Sequence, residues 1–439
     1  ATRSLDFARD DSLFRHGRPM SFRPRVAVVF GNAPESLSSL CGISLAERLL
    51  RVLQRLGFTR AIIIAITSEL RTELSRSSWA RAGVTLAFAE SGDAVADVLQ
   101  VLTKEDSPAA IVRADYYYDP RLLGALMGAA VPSFLVESDA RRNGSGSALI
   151  TRDWLSARDQ RAHFWSDLEA AAAADEIALI GVSEQPAYLA SMRREITPEA
   201  FRVATAADRR AAQKVILDGA QNGTLDIPAI VHAPLETAIV SRLCRTSVTP
   251  NQVTFATFVI GVVTAGLFAC GHLWSGLILA LAIGVLDGVD GKLARVKVET
   301  TELGSWEHSL DYVVEFAWWT ALAFHFERAG ELPHVFGLLL LFFVSDAVGR
   351  LAKRAVKQRL GRNLDDVSTF DRWVRYVAGR RNIYVWIFAT GLLLHQAATA
   401  FAWICWWSVA SSAIYAIRAV QIAIAARPRQ PAPPRQAAL

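Results

Sequence analysis

The sequence predicts an α/β soluble domain followed by an all-α bundle of six transmembrane helices. Three observations carry this reading. Of the 439 residues, 52% are hydrophobic and 20% charged, and the mean hydropathy is +0.25. That is more apolar than soluble chains usually are and far too apolar for a disordered one. The excess is uneven: the chain is mixed and charge-rich to about residue 225, then breaks from Val253 onward into long apolar runs between short polar loops. Within the front half, strand-like and helix-like segments alternate, which is the pattern of a three-layer domain on a mostly parallel sheet.

Residues 1–23 read as an N-terminal extension. The first 20 residues hold no apolar core long enough for a signal peptide, so the domain over 24–225 is expected in the cytosol. Its elements follow in order. Arg25–Phe30 is a β-branched strand followed by Gly31, and Ser44–Leu56 has helical periodicity. Ala61–Thr67 reads as a strand, Ala94–Leu102 as a helix and Ala109–Val112 as a strand leading to Asp115; Phe134–Val136 is another strand. Ligands of such sheets bind at the carboxyl ends of the strands, where Gly31 and Asp115 lie. The four cysteines, Cys41, Cys244, Cys270 and Cys405, are far apart and form no C-x-x-C pair. This argues against a disulfide framework and a cysteine zinc site. The net charge of +5 does not point to nucleic acid, because the basic residues crowd beside apolar runs, where membrane topology accounts for them.

Residues 226–248 are expected to form a juxtamembrane amphipathic helix. In Ile227–Arg245, Ile230, Leu235, Ile239 and Leu243 fall near one helical stripe, with Arg242 and Arg245 nearby; an ordinary core-packed helix is the alternative. The domain over 249–426 holds six runs able to span a bilayer, for which about 20 apolar residues suffice. They are Val253–Gly271, Trp274–Asp287, Ser309–Phe326, His334–Leu351, Ile383–Phe401 and Trp403–Val420. The second is short unless its polar end, through Ala294, continues the helix. The loop from Arg350 to Arg381 is rich in Lys and Arg, whereas that from Glu327 to Leu332 holds only Arg328. The positive-inside rule therefore places the long loop, both termini and the front domain in the cytoplasm of a multi-pass protein of the cell's inner membrane. The tail over 427–439 is basic and Pro-rich and reads as disordered.

Carboxylates at membrane depth are costly and mark function. Here they cluster. Asp287 and Asp290 lie three apart on the second run; Glu307 and Asp311 lie four apart on the third. Each pair shares one helical face, and the short connection Val296–Leu303 makes the two helices antiparallel neighbours. Four carboxylates then meet at the cytosolic end and repel unless a cation intervenes. An all-oxygen set suits Mg²⁺ or Mn²⁺. Gly288 and Gly291 leave room for a ligand beside the backbone.

The stretch Asp287-Gly-Val-Asp290-Gly291-Lys-Leu-Ala294-Arg295, with Gly304 after eight intervening residues, resembles the signature of the CDP-alcohol phosphotransferase family, D-x2-D-G-x2-A-R-x8-G-x3-D-x3-D. The third and fourth Asp positions fall on His308 and Tyr312. Sliding back one residue gives Glu307-x3-Asp311, an acidic pair at the right mutual spacing. The segment Thr249–Thr254 also resembles the family's opening motif. The resemblance covers roughly Pro228 to Val420. It implies that a hydroxyl attacks the β-phosphorus of a CDP-linked donor and CMP leaves. It further implies Asp287, Asp290, Glu307 and Asp311 as ligands of two Mg²⁺ or Mn²⁺ ions, and Asp311 as the base. Asp287, Gly291, Ala294 and Arg295 would lie by the CDP group, and the enzyme would be a homodimer working among membrane lipids. His308 reads as a residue behind the ligands. Arg380 and Arg381, just before the fifth run, are candidates for an acceptor's phosphate; contact with anionic lipid is the other reading of these basic residues.

The front half is similar to the sugar-nucleotidyltransferase (Rossmann-like) fold. Leu45–Leu50 with Leu56-Gly57-Phe58 looks like its first helix and turn, and Arg113-Ala114-Asp115 like its metal-holding Asp. The fusion resembles bifunctional inositol-phosphate cytidylyltransferase and phosphotransferase enzymes. The loop Gly31-Asn-Ala-Pro-Glu35-Ser-Leu37 lacks the family's G-x-G-x-R and following Lys, which implies a degenerate, structural or regulatory domain. The leading expectation is a membrane transferase of phospholipid or polyol-phosphate synthesis, taking a CDP-linked donor and an alcohol acceptor. A front domain that also makes the CDP-polyol from CTP is the alternative. A transporter would show repeat-related broken helices, and none is visible. A non-catalytic scaffold is the remaining class.

Overall fold

Val26–Phe30 (β1) carries only apolar side chains and is buried along its length, as a strand covered on both faces must be. The computed structural model describes residues 25–89, 93–105, 107–137, 144–157, 164–189, 192–223, 226–299 and 304–425, the side chains of 304–310 excepted. The expected N-terminal extension and C-terminal tail lie outside the described residues, as does part of the connection before Gly304. The chain divides into two units. One runs to Gly223 and includes Glu236–Val253 and Val289–Ser305; the other comprises Thr224–Leu235, Thr254–Gly288 and the chain from Trp306 on.

In the first unit β1 leads through a short 3-10 turn at Pro34–Leu37 to α1 (Leu45–Arg55). Then come β2 (Arg60–Ile64), α2 (Ser68–Leu74), β3 (Thr85–Phe88), α3 (Ala94–Glu105), β4 (Ala109–Arg113) and α4 (Pro120–Met127). They are followed by β5 (Ser133–Val136), β6 (Gly144–Ile150), α5 (Arg152–Ser156), α6 (Phe164–Ala173), β7 (Ala178–Gly181) and α7 (Ala206–Gly219). The seven strands form one sheet in the order β7-β5-β6-β4-β1-β2-β3. β1 pairs in parallel with β2 and β4, placing Val28 opposite both Ile62 and Ile111. β6 alone runs antiparallel, between β4 and β5. The alternation is thus borne out as a three-layer α/β sheet. The strands Thr85–Phe88, Gly144–Ile150 and Ala178–Gly181 were beyond the sequence reading because Gly, Ser, Thr and Ala dilute their apolar pattern.

Helix α1 starts where it does because the Ser44 side chain accepts a hydrogen bond from the Glu47 backbone N–H, a standard N-cap. Leu45, Leu49, Val52 and Leu53 bury one face. Glu47 sits at a buried junction: its carboxylate accepts from Ser78 Oγ at 2.7 Å, Arg81 Nε at 2.6 Å and Arg51 Nε at 2.9 Å.

The later helices are α8 (Ile227–Leu243), α9 (Pro250–Ala269), α10 (Leu273–Lys297), α11 (Gly304–Ala329), α12 (Val335–Leu360), α13 (Thr369–Val377), α14 (Arg381–Leu393) and α15 (Ala397–Ala425). Among the described residues, α9, α10, α12 and α15 are long and apolar enough to cross a membrane; α11 and α14 are not counted with them. The short second run does continue as helix through its acids, giving α10 its 25 residues. In α8, Ile230 and Leu235 are exposed while His232, Glu236 and Val240 are buried.

Two expectations need correction. The fifth and sixth runs divide at Leu394–Gln396, not after Phe401. His395 adopts φ 56°, and the Gln396 N–H returns to the Gly391 carbonyl at 2.7 Å. A polar His-Gln pair inside an apolar stretch thus makes the turn. The basic stretch from Arg350 to Arg381 is largely helical, not a loop. α12 runs on to Leu360, and α13 is capped by Ser368, whose hydroxyl accepts from the Asp371 N–H. Asp371 is buried against Arg418, with oxygens 2.7 and 2.9 Å from that guanidinium.

Small residues set the closest helix approaches in the second unit. A Cβ at Gly391 would lie 2.1 Å from that of Ala400, and one at Gly261 would lie 2.6 Å from Val314 Cγ1. The Gly261 carbonyl in turn accepts from the indole N–H of fully buried Trp318 at 2.8 Å. Close backbone contact plus a side-chain hydrogen bond is how apolar helices associate in lipid.

One prediction follows from Glu47. Burial pushes its carboxyl up, but hydrogen bonds from Ser78, Arg81 and Arg51 outweigh that and hold it below the ordinary value. Its stabilisation is therefore present above the unfolded carboxylate range, about 4.3, and is lost as pH falls through the lower folded value. Thermal unfolding measured from pH 7 to 3 should show a decline that Glu47→Gln removes in part. An identical pH profile for the variant would refute the assignment.

Candidate functional site

Asp287 stands on α10 and Asp311 on α11, and both reach the same cation. Arg381, the first residue of α14, places Nη2 2.8 Å from Asp287 Oδ2 and Nη1 3.3 Å from Asp311 Oδ1. The guanidinium is more buried than either acid, at 12% exposure against 34% and 30%. Three helices thus deliver two carboxylates to one positive charge. The fork of a guanidinium makes this geometry possible.

One turn beyond Asp311, Glu315 lies 3.6 Å from Arg350 Nη2. Arg350 also pairs with Asp346 and covers the Tyr312 ring at 3.9 Å. The sequence reading stopped at Asp311 and missed Glu315 and Asp346. A spacing of four from 307 to 311 to 315 was the available signal for Glu315. Asp346 had no comparable signal, since it sits singly in an apolar helix.

Within the first unit lie the remaining signature positions of α10. Asp290 is 4% exposed, and its Oδ1 accepts from the Gly291 N–H at 2.6 Å. The Arg295 guanidinium lies over Gly291, 3.4 Å from where a Cβ would stand, and its Nε donates to the Ala220 carbonyl at 2.8 Å. Ala294 is half-buried beside it. Lys292, 2% exposed, is held by Glu236 at 3.1 Å and Thr237 at 2.9 Å. The Glu307 and His308 side chains lie outside the described residues, though both positions are helical.

The donor set fits a hard divalent cation. It is all carboxylate, and Asp287 and Asp311 already converge on a positive group in the second unit. Among the described residues no three carboxylate, histidine or cysteine side chains are gathered as a metal site. Arg380 goes elsewhere than Arg381: its Nη2 meets Asp365 at 3.2 Å.

In the front domain Asp115 is 1% exposed. Arg113 donates to both its oxygens, at 3.0 and 2.8 Å, and Arg202 adds a third contact at 2.7 Å. Arg202 reaches it because Ala200–Arg202 pairs antiparallel with Tyr116–Tyr118. Two guanidinium groups thus share this one buried carboxylate. After β1 the 3-10 turn engages its own backbone: Ser36 N–H donates to Ala33 and Ser38 N–H to Glu35.

Residues 247–414 match the model of the CDP-alcohol phosphatidyltransferase family. The chain is 34% identical over 136 residues to the bifunctional IPC transferase and DIPP synthase of Aquifex aeolicus (strain VF5), covering 30% of each chain. It is 25% identical over 223 residues to the protein of the same name from Archaeoglobus fulgidus, covering 50% of this chain and 42% of that one. The chain therefore spans under half the length of these curated relatives. Among solved structures it is similar to the inositol-1-phosphate CTP transferase from T. maritima, with a TM-score of 0.31 and 10% identity over 44% of this chain and 98% of that one. The whole signature, from Asp287 to Asp311, lies inside 247–414, and that segment carries the CDP-alcohol phosphatidyltransferase match which the motif implied.

Proposed function

We propose that this chain is an integral-membrane transferase that moves a substituted phosphate from a CDP-alcohol to an acceptor alcohol, with release of CMP. The observation that carries this is the convergence of Asp287 and Asp311 on one cation inside the matched segment. The acceptor oxygen forms a bond to the donor's β-phosphorus. The bond from that phosphorus to the bridging oxygen breaks, and the electron pair leaves with CMP. Asp311 takes the hydroxyl proton. Asp287, Asp290, Glu307 and Asp311 are the residues that would hold Mg²⁺ or Mn²⁺, two ions in this reading. Bound there, such ions neutralise the pyrophosphate and stabilise the charge of the in-line displacement. Gly291, Ala294 and Arg295 line the place of the CDP group, and Arg381 offers a planar fork for an acceptor's phosphate. α11 and α14 complete six spans, and the basic residues at the end of α12 and in α13 favour a cytoplasmic site.

A second reading has the front domain also making the donor from CTP. It is favoured by the relatives, whose name describes a bifunctional IPC transferase and DIPP synthase. Against it stand the two arginines on Asp115 and the folded turn after β1. A triphosphate needs free backbone N–H groups and a cation, and Glu35 offers an acid instead.

Asp287→Asn, Asp290→Asn and Asp311→Asn should each lower CMP release from CDP-donors by roughly 10²–10⁴-fold, as loss of an acid–base or charge-stabilising group does. The variants should stay folded in detergent. EDTA should stop the reaction, and added Mg²⁺ or Mn²⁺ should restore it. Turnover that ignores chelation would overturn the mechanism.

The one-residue register is tested by metal titration. Glu307→Gln should raise the Mg²⁺ needed for half-maximal rate more than His308→Ala does, since a residue behind the ligands costs about 10–100-fold. The opposite order would restore His308 to the ligand position.

For the front domain, the full chain given CTP, Mg²⁺ and phosphorylated polyols should release no pyrophosphate. Release that is lost in Asp115→Asn would establish the second reading.

A further inference from the structure

The last four carbonyls of any α-helix lack partners within it. At the end of α10 each has one, and the account closes within the first unit. The Ala294 carbonyl accepts from the Glu299 N–H at 2.9 Å and the Arg295 carbonyl from the Val298 N–H at 3.3 Å. The Val296 carbonyl accepts from Arg48 Nη2 at 2.6 Å, and the Lys297 carbonyl from Arg51 Nη1 at 2.8 Å. Two of the four are satisfied by the chain's own turn. The other two are satisfied by α1, about 250 residues earlier in the sequence.

We infer that α1 of the front domain is the C-terminal cap of the signature helix, and that Arg48 and Arg51 are positioning residues for phosphate transfer at that helix. The reaction named here rests on the function proposed above; the cap does not.

The sequence of α1 explains the device. Arg48 and Arg51 are three apart and share a face, and both are buried, at 6% and 8% exposure. A buried guanidinium is costly unless charge and hydrogen bonds compensate. Arg48's hydrogen bonds go to the carbonyls of Leu40 and Val296. The negative end of the α10 dipole is what favours a cation at that place. Arg51 adds an ion pair with Glu299 at 3.2 Å, just past the helix.

The turn itself also depends on the front domain. Helices commonly end on glycine in the left-handed region. Here the residue is Val298, at φ 52°, where a β-branched side chain is strained. Its side chain is 6% exposed and packs in the core cluster of Val29, Leu49, Leu53 and Leu122. Burial in that core offsets the strain. Lys297 anchors the same end from another side, donating to the Thr246 and Val248 carbonyls at 2.8 and 2.7 Å. The residues so fixed include Asp290, Gly291 and Arg295, all within two turns of the cap. This gives the front domain a task that needs no nucleotide chemistry of its own.

The test compares the full chain in detergent with its Arg48→Ala/Arg51→Ala variant. Amide hydrogen exchange over residues 293–299 should be roughly ten-fold faster or more in the variant, the factor that loss of charge-assisted bonds at a helix end gives. The Mg²⁺ concentration for half-maximal CMP release should rise about 10–100-fold, as when a group orienting ligands is removed. Arg60→Ala, which breaks a partly exposed pair with Glu105 elsewhere in the domain, should change neither. Unchanged exchange would overturn the cap. Faster exchange with unchanged Mg²⁺ dependence and kcat would overturn the positioning role. If the double variant does not fold, Arg48→Lys and Arg51→Lys replace it. Lysine keeps the charge but not the planar fork, so both readouts should shift the same way by less, and wild-type values in both variants would overturn the proposal. A wild-type chain that releases no CMP from any donor would refute the proposed reaction and leave the exchange result to decide the cap.

Discussion

Carboxylates that share one neighbourhood need a cation between them, and in the second unit Asp287 and Asp311, both partly exposed, share Arg381. Neighbouring like charges repel even where water screens them in part, and positive charge between them offsets that repulsion. Arg381 supplies it. Its position at the first turn of α14 is therefore part of what allows α10 and α11 to carry acids at all. Glu315 and Asp346 repeat the arrangement around Arg350. A protein that kept these acids for stability alone would do better with apolar residues of similar volume.

The first unit solves a different electrostatic problem with the same residue type. At Asp115 two arginines surround one buried carboxylate; at the end of α10 two arginines meet carbonyls. Both arrangements spend arginine on structure. In the front domain the strand-end carboxylate is paired, the turn after β1 is bonded within itself, and the first helix meets the end of α10.

The sheet was legible where strands are apolar throughout, as in β1, or past one end residue, as in β2 after Arg60, because a buried parallel strand leaves a continuous run. It was illegible at β6, where Gly144, Ser145, Gly146 and Ser147 carry no β pattern; the pairing partners on either side make that segment a strand. The acids of the site were legible because charge inside apolar runs is rare and its spacing matches the helix repeat. Arg381 was legible only as a basic residue near a span. That it meets Asp287 and Asp311 depends on which helices pack together, which no local pattern encodes. The roles of Arg48 and Arg51 were hidden for the same reason. Within α1 they look like the polar residues of an amphipathic helix, and nothing nearby in sequence marks them as buried.

The departure from the signature after Gly304 has a simple geometric sense. In a helix the quantity that fixes a face is the separation between two residues, not their distance from a motif upstream. Gly304 is the first residue of α11, so one residue fewer after it turns the rest of that helix by about 100° relative to Gly304. The acidic pair at 307 and 311 moves by that same one residue, so its members remain one turn apart. The next acid in the stripe, Glu315, moves with them. Asp311 meets Arg381 together with Asp287, while Tyr312, the residue in the unshifted register, lies against Arg350 as a ring. The Asp311 carboxylate, not the Tyr312 phenol, is the group that shares a cation with Asp287.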